Sequence, residues 1–347
     1  MISAQKLEGA GGHKVASASV DIAVGVESAP YVAAYPWSSG FGTKYSNPVT
    51  ALSTYVNGIV FSPSKANIVM TQSSTPFIAA YAWSTSGFGA KKSNPASLPS
   101  GAGNFIAFSP SGGEVAMAHD VSPYISAYTW SDSTGFGTKF SNPAVLPTFS
   151  GNGVAFSPSG TEVAVAHNSG ANISVYLWSA STGFGVKFSN PATPPAGNGQ
   201  SVAFSPSGTD IAVASNTSPY VYAYGWSSSG FGTKYADPVT TPTGTPTAVV
   251  FSPAGSSIIV THSTSPYVTA YPWSSGFGTK YANPVSAIPD LCLDAGFTPD
   301  GSTVAVAHRA SPYITAYSWS ASTGFGSKFT NPISLPAGNA YSMAFSK

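Results

Sequence analysis

The chain carries the sequence GNGVAFSPSG at residues 151–160 and VAVAH at residues 163–167, followed by Trp178. This stretch returns, with small changes, along nearly the whole of the 347-residue chain. The clearest marker is tryptophan, which occurs at spacings of 46, 47, 48, 48, 47 and 46 residues: Trp37, Trp83, Trp130, Trp178, Trp226, Trp273 and Trp319. A constant period of this length indicates a repeat architecture rather than a set of unrelated segments.

Three further markers keep the same order within every unit. Phe-Ser/Thr-Pro begins at Phe61, Phe108, Phe156, Phe204, Phe251 and Phe297, and a seventh copy starts at Phe345. Gly-Phe-Gly is centred on Phe41, Phe88, Phe136, Phe184, Phe231, Phe277 and Phe325. Asn-Pro or Asp-Pro ends at Pro48, Pro95, Pro143, Pro191, Pro238, Pro284 and Pro332. Four markers in constant order predict seven equivalent structural units.

Each unit has the pattern of four short strands. In the unit around Trp130 we predict strands over 104–109, 114–119 and 123–130, and a fourth that follows Gly-Phe-Gly at 135–137 and ends at Pro143. The runs are rich in β-branched and aromatic residues and are separated by Gly, Pro, Ser and Asp. Four strands in a unit of about 40–50 residues are typical of a propeller blade.

The third strand of each unit alternates large and small residues. Tyr128 and Trp130 share one face, and Ala127 lies on the other. This pattern favours blades stacked so that the aromatic side chains of one blade press on the alanines of another. We therefore expect an inter-blade core, rather than a sugar-stacking surface, from Tyr35, Tyr81, Tyr128, Tyr176, Tyr224, Tyr271 and Tyr317.

The two ends of the chain complement each other. The first unit has its second, third and fourth strands, over 21–26, 31–37 and 40–47, but no first strand. Residues 340–347 form a first strand without a unit, and pairing them with the first unit would remove two open sheet edges. The prediction is an all-β, seven-bladed β-propeller over residues 15–347, with an N-terminal arm over residues 1–14 as a candidate anchor.

Charge is sparse, and this excludes several classes of protein. Only 7% of residues are charged and the net charge is +1, against roughly 25% charged in ordinary domains. A nucleic-acid-binding or membrane-binding surface is therefore not expected. One cysteine, Cys292, excludes a disulfide framework. The N-terminus lacks the apolar core of a Sec signal peptide, so we expect the protein to stay in the cytosol or to leave it by lysis or another route.

The quoted motifs, 151–160 and 163–167, resemble WD-repeat-like repeats of bacterial and bacteriophage propellers over nearly the whole chain. The resemblance implies a rigid interaction platform of the kind found among virion proteins. Two departures stand out. Asp occurs in the Phe-Ser/Thr-Pro turn only as Asp300, and every tryptophan is followed by Ser instead of Asp. Fold alone does not give function.

One repeat position is a candidate binding-face ring. It lies at the end of the second strand and is occupied by Gln72, His119, His167, Ser215, His262 and His308. The ring either contacts a partner or glycan, or each imidazole hydrogen-bonds within its own turn, for instance to Ser122. A metal site is disfavoured because one ligand per blade is too dispersed for bonds of about 2.1 Å, and no cofactor is predicted.

A second position is a candidate outer basic ring. It follows Gly-Phe-Gly and holds Lys44, Lys91, Lys139, Lys187, Lys234, Lys280 and Lys328. Lysine on an edge strand blocks pairing between sheets, which is a sufficient reason for its repetition. Binding of an acidic partner is the alternative.

Catalysis has little support in the sequence. The single arginine, Arg309, excludes the arginine cluster of sialidase-type propellers, and no pair of acids is placed for glycoside hydrolysis. The leading hypothesis is a non-enzymatic phage or prophage virion protein, on tail, baseplate or capsid. Its partners would be other virion proteins and a host-surface glycan or receptor, met through loops on one face. The alternative is a lectin-like, carbohydrate-binding propeller.

Overall fold

The computed structural model describes residues 20–347, which form 26 β-strands and no helix. The predicted N-terminal arm lies outside the described residues. In chain order, the strands are β1 (Val20–Val26) and β2 (Val32–Trp37) in blade 1; β3 (Val56–Phe61), β4 (Asn67–Gln72), β5 (Ile78–Ser84) and β6 (Gly87–Lys91) in blade 2; β7 (Gly103–Phe108), β8 (Glu114–His119), β9 (Ile125–Ser131) and β10 (Gly135–Lys139) in blade 3; and β11 (Gly151–Phe156), β12 (Glu162–His167), β13 (Ile173–Ser179) and β14 (Gly183–Lys187) in blade 4.

The second half of the chain repeats this order. Its strands are β15 (Gly199–Phe204), β16 (Asp210–Ser215), β17 (Val221–Ser227) and β18 (Gly230–Lys234) in blade 5; β19 (Pro246–Phe251), β20 (Ser257–His262) and β21 (Val268–Pro272) in blade 6; β22 (Cys292–Phe297), β23 (Thr303–His308), β24 (Ile314–Ser320) and β25 (Gly324–Lys328) in blade 7; and β26 (Ala340–Phe345), which completes blade 1. The predicted seven-bladed, all-β propeller is confirmed.

Ring closure follows the predicted pairing. Strand β26 lies antiparallel to β1, with Ile22 opposite Phe345 and Val24 opposite Met343. The Asp21 backbone N–H donates to Ser346 Oγ at 2.8 Å, and the Ser346 N–H donates to the Asp21 carbonyl at 2.8 Å. The first strands of all seven blades contact one another in a closed circle around the central channel.

Two blades depart from four regular strands. In blades 1 and 6 the fourth strand is reduced to isolated bridges, Trp37–Phe41 and Trp273–Phe277. Both blades have proline before the tryptophan, Pro36 and Pro272, where the other blades have a residue with a backbone N–H. Since proline cannot donate a ladder bond, pairing with the fourth strand is weakened there.

The third strands begin later than predicted. Pro123 and Tyr124, placed in a strand by the alternation, instead belong to the turn before β9, where the Ser122–Pro123 peptide is cis and Tyr124 has a φ of 69°. Five other blades have the same cis X-Pro bond and an aromatic residue at positive φ. The bends lie on the face where second strands end.

The core lies between the blades, as predicted. Trp83 packs edge-on against Phe61 and Phe88 of its own blade and against Tyr45 of the preceding one, with ring centroids 4.9–5.2 Å apart. In the next seams, Tyr176 and Trp178 of blade 4 pack on alanines of blade 3. The aromatic residues therefore face the preceding blade, and the expected inter-blade role of the seven tyrosines is confirmed by their complete burial.

Each of those tyrosines also ties two blades together. The Tyr128 hydroxyl donates to the Ser97 carbonyl of blade 2 at 2.9 Å, and the corresponding bond recurs in every seam. At the closure, Tyr35 donates to the Ser334 carbonyl of blade 7 at 2.7 Å. The first and last blades are thus joined by the same bond as the others.

Candidate functional site

The predicted binding-face ring lies beneath the surface. All six side chains, Gln72, His119, His167, Ser215, His262 and His308, are at most 1% exposed. Each imidazole Nε2 lies 2.9–3.0 Å from the hydroxyl of Ser or Thr seven residues later, for example His119 and Ser126. The hydrogen bonds stay within one blade, but the partner is on the third strand and not in the turn at Ser122, where the simpler alternative placed it.

Burial controls the protonation of these histidines. It lowers the pKa of His119, His262 and His308 to about 4, and it lowers the pKa of His167 as well. The Nδ1 atoms of His119, His262 and His308 are buried without a hydrogen-bond partner. Since charging an imidazole here would leave that charge unsolvated, the ring belongs to the neutral interior of the blades.

The predicted basic ring lies at the outer circumference. The seven lysines end or follow the fourth strand of their blades, and all are half-buried. Lys44, Lys187 and Lys280 hydrogen-bond to the asparagine three residues later, and Lys234 pairs with Asp237. Two shallow grooves of about 420 and 470 Å³ lie beside Lys328 and Lys139, far out on the blades. The structure keeps the lysines in one ring but away from the central channel.

Another repeat position, not singled out in the sequence, surrounds the end of the channel where the first strands begin. It is the residue after each second strand, and we call these seven residues the mouth ring: Glu27, Ser73, Asp120, Asn168, Asn216, Ser263 and Arg309. Six of their backbone N–H groups donate to the residue before a first strand, as Arg309 does to the Leu291 carbonyl at 3.2 Å. These bonds fix the side chains beside the innermost strands.

In most seams an amide or a hydroxyl at the mouth forms a hydrogen bond between neighbouring blades. The second residue of each first strand is half-buried at the channel, and Asn57, Asn104 and Asn152 donate Nδ2 to the carbonyl of the first-strand residue Gly103, Gly151 or Gly199 in the next blade, at 2.7–2.9 Å. Thr247 makes the equivalent bond to Cys292. These polar atoms are used in holding neighbouring blades together.

The pattern changes where blades 7 and 1 meet. The second residue of the first strand is Tyr341 in blade 1, and its hydroxyl donates to Glu27 Oε2 at 3.4 Å. The Arg309 guanidinium carbon lies 5.8 Å from the centroid of the same ring. Tyr55 stacks on Tyr341 with centroids 5.6 Å apart and planes tilted by 30°. We call these four residues the mouth cluster.

The mouth cluster keeps its charged groups near the solvent. Glu27 and Arg309 are exposed, and Tyr55 is 38% exposed. Arg309 has no carboxylate within 4 Å among residues 20–347, where Lys234–Asp237 is the single ion pair. Burial raises the pKa of Tyr341, the nearby Glu27 carboxylate raises it further and Arg309 lowers it. The phenol therefore remains a donor at neutral pH, beside a free guanidinium and a carboxylate.

Asp290 belongs to the same part of the face. It lies two residues before Cys292, and its Oδ1 accepts the Leu291 N–H at 2.7 Å. The equivalent residue in blade 3, Gly101, directly adjoins Asp120 of the mouth ring. Blade 7 therefore has a carboxylate in the loop beside Arg309.

Residues 20–347 hold no group of three His, Cys, Asp or Glu side chains that could bind a metal ion. Nor does this part of the chain include a helix long and apolar enough to cross a membrane. One further carboxyl, Asp294 on the first strand of blade 7, is buried and accepts the Met343 N–H of blade 1 at 3.0 Å.

Neither a protein-family profile nor a curated protein matches the sequence. Solved structures do match. A candidate 6-phosphogluconolactonase from Bacteroides uniformis has a TM-score of 0.71 at 15% identity, over 95% of this chain and 100% of its own. The periplasmic gluconolactonase of Pseudomonas aeruginosa has 0.71 at 13%, over 95% and 99%. A protein from Lactobacillus plantarum has 0.75 at 14%, over 95% and 100%.

These comparisons correct the functional expectation. The expected non-enzymatic virion protein is contradicted, because similar propellers of known structure are described as lactonases. The motifs that suggested a platform, 151–160 and 163–167, form β11, β12 and the turn between them, and equivalent strands recur in every blade. At 11–15% identity the similarity shows a shared seven-bladed fold.

Proposed function

We propose that the protein is a hydrolase that opens a sugar lactone at the mouth cluster. The observation that carries this proposal is the convergence of Glu27 and Arg309 on Tyr341 at the end of the central channel. The fold shared with proteins described as gluconolactonases supports the reaction class. In a chain with only 7% charged residues, a carboxylate and the sole arginine at one channel opening form a distinctive arrangement.

The chemistry requires a base, an anion-stabilising group and a place for the substrate. Glu27 would take a proton from water as the water oxygen attacks the carbonyl carbon of the lactone. The guanidinium of Arg309 would stabilise the oxyanion that forms. When the ring C–O bond breaks, the leaving alkoxide would recover the proton from Glu27, which gives the open hydroxy acid.

Tyr341 acts as a positioning residue in this scheme. Its hydroxyl holds Glu27 through the 3.4 Å contact, and its ring lies under Arg309. The two charged groups therefore lie against one aromatic side chain, which is the second residue of the innermost strand of blade 1. Placement on a strand fixes Tyr341 itself, whereas Glu27 and Arg309 directly follow the ends of β1 and β23.

The experiment measures hydrolysis of glucono-δ-lactone by titrating the acid that is released at constant pH. The rate of spontaneous hydrolysis in buffer is subtracted. We expect activity in the full chain and a loss of at least about 100-fold in kcat/KM in Glu27→Gln and in Arg309→Gln. Asp237→Asn is the matched control, because it removes an exposed carboxylate at the outer edge of blade 5. Hydrolysis no faster than in buffer, or full activity in both mouth variants, would overturn the proposal.

A further inference from the structure

The charges of the mouth also bear on which lactone can bind. Three carboxylates lie around the channel opening, Glu27 and Asp120 in the mouth ring and Asp290 beside it, against one guanidinium, Arg309. Five lysines of the outer ring end fourth strands, three strands out from the channel, and Lys44 and Lys280 occupy the equivalent positions of blades 1 and 6. Strands lie about 4.8 Å apart, so these cations are beyond the screening distance of about 8 Å at physiological salt.

One cation cannot serve two anions at once. If Arg309 stabilises the developing oxyanion, a phosphate on the far end of the sugar needs a second positive group. Residues 20–347 place no lysine at the mouth, where the ring positions are filled by acids, amides, hydroxyls and the one arginine. A phosphate dianion there would meet net negative charge and would lose its hydration without a partner.

The aromatic part of the cluster suits an uncharged ring. Tyr55 is 38% exposed and presents a ring that is itself supported by Tyr341. Aromatic faces of this kind bury the C–H face of a sugar, while the sugar hydroxyls remain free to hydrogen-bond to water or to polar groups at the mouth. The recognition available at the mouth is therefore stacking and hydrogen bonding.

We infer that the substrate is an uncharged sugar lactone and that the site rejects the 6-phosphorylated form. This inference rests on the proposed function and adds its substrate class. The same negative charge would favour release of the product, because opening the lactone creates a carboxylate where none was before.

The test compares kcat/KM for glucono-δ-lactone and for 6-phosphogluconolactone in the same preparation of the full chain. We expect at least a 10-fold preference for the uncharged lactone, and a smaller preference at 0.5 M salt. Asp120→Asn should reduce the preference at low salt, because it removes a mouth carboxylate that has no catalytic role. The control Asp237→Asn should leave the ratio unchanged.

The outcomes separate the two proposals. Equal or faster hydrolysis of the phosphorylated lactone would overturn the inference and leave the lactonase function standing. Hydrolysis of neither lactone would overturn the proposed function, and the substrate class with it. An unchanged ratio in Asp120→Asn would contradict the electrostatic reason given for the preference.

Discussion

Blades 2 to 5 and the seam between blades 7 and 1 use the same repeat positions for different purposes. In the regular seams the second residue of the first strand binds the next blade, as Asn57 binds the Gly103 carbonyl. At the closure the same position is Tyr341, which contacts Glu27 and lies beneath Arg309. Repeated residues therefore maintain the ring, and the departure from repetition supplies the candidate chemistry.

The largest change that tests this comparison is removal of the closing strand. Deleting residues 340–347 opens β1 and strips Met343 and Phe345 from the core. Because buried Met and Phe side chains are each worth about 2–5 kcal/mol, and because two sheet edges become exposed, we expect loss of cooperative unfolding in thermal scans. Ser346→Ala, which removes one side-chain bond, should keep it. A deletion with an unchanged melting temperature would show that closure does not hold the ring.

The regular blades should also make the protein sensitive to acid. Burial holds the pKa of His119, His262 and His308 at about 4, against 6.5 in the unfolded chain. As the pH falls from 6.5 to 4, protons bind these histidines in the unfolded chain before they bind them in the folded protein. Each histidine therefore lowers the free energy of unfolding by up to about 3 kcal/mol over this range, and it has no effect on stability above pH 6.5.

One carboxyl opposes this acid effect. Burial raises the pKa of Asp294 to about 7, so its contribution is present at low pH and lost as the pH rises through 7. Since three histidines outweigh one aspartate, urea unfolding at pH 7 and pH 4.5 should show a net fall in stability. In His119→Gln the difference between the two pH values should shrink. Equal stability at both would contradict the neutral, buried histidines.

Removing a single seam aromatic should have a smaller effect. Trp178→Ala leaves a cavity between blades 3 and 4, where the ring packs against Phe140, Phe156 and Phe184. We expect a loss of about 3–5 kcal/mol in the free energy of unfolding. The exposed Phe149 provides the control, and Phe149→Ala should cost less than about 1 kcal/mol. Similar losses of stability in the two variants would contradict the conclusion that the core lies between the blades.

Each hydrogen bond from a tyrosine hydroxyl to the preceding blade should contribute less to the free energy of unfolding than a seam aromatic does. Tyr128→Phe and Tyr35→Phe each remove one hydroxyl that donates to a carbonyl of the preceding blade, a loss of about 1 kcal/mol. Equal losses in chemical unfolding would show that the closure seam is held like a regular one. A much larger loss in Tyr35→Phe would mark the closure as the weak point of the ring.

The fold was predictable because burial in a propeller is periodic. Trp, Phe and Pro recur where every blade meets its neighbour, so the pattern that stabilises the seams is visible in the sequence. The third-strand boundary was missed because Pro123 and Tyr124 continue the apolar alternation while their backbone turns. The shortened fourth strands of blades 1 and 6 were not predicted, because Pro36 and Pro272 lack a backbone N–H without changing the spacing of the repeat.

The candidate site was not predictable by the same means. The histidine position drew attention because it repeats, yet repetition there reflects burial. The next residue varies from Glu27 through Asp120 and Asn168 to Arg309, and this variation was the available signal. That signal can be interpreted only once the ring is closed, because closure brings Glu27 and Arg309, 282 positions apart, next to Tyr341. No local sequence pattern predicts these contacts.

The most direct test measures lactone hydrolysis and stability together in Glu27→Gln, with Asp237→Asn as control. Glu27 is exposed and bonded through one 3.4 Å side-chain contact, so its free energy of unfolding should change by no more than about 0.5 kcal/mol. We expect kcat/KM for glucono-δ-lactone to fall at least about 100-fold at that unchanged stability. Full activity in Glu27→Gln would contradict the claim that the departure from repetition carries the function.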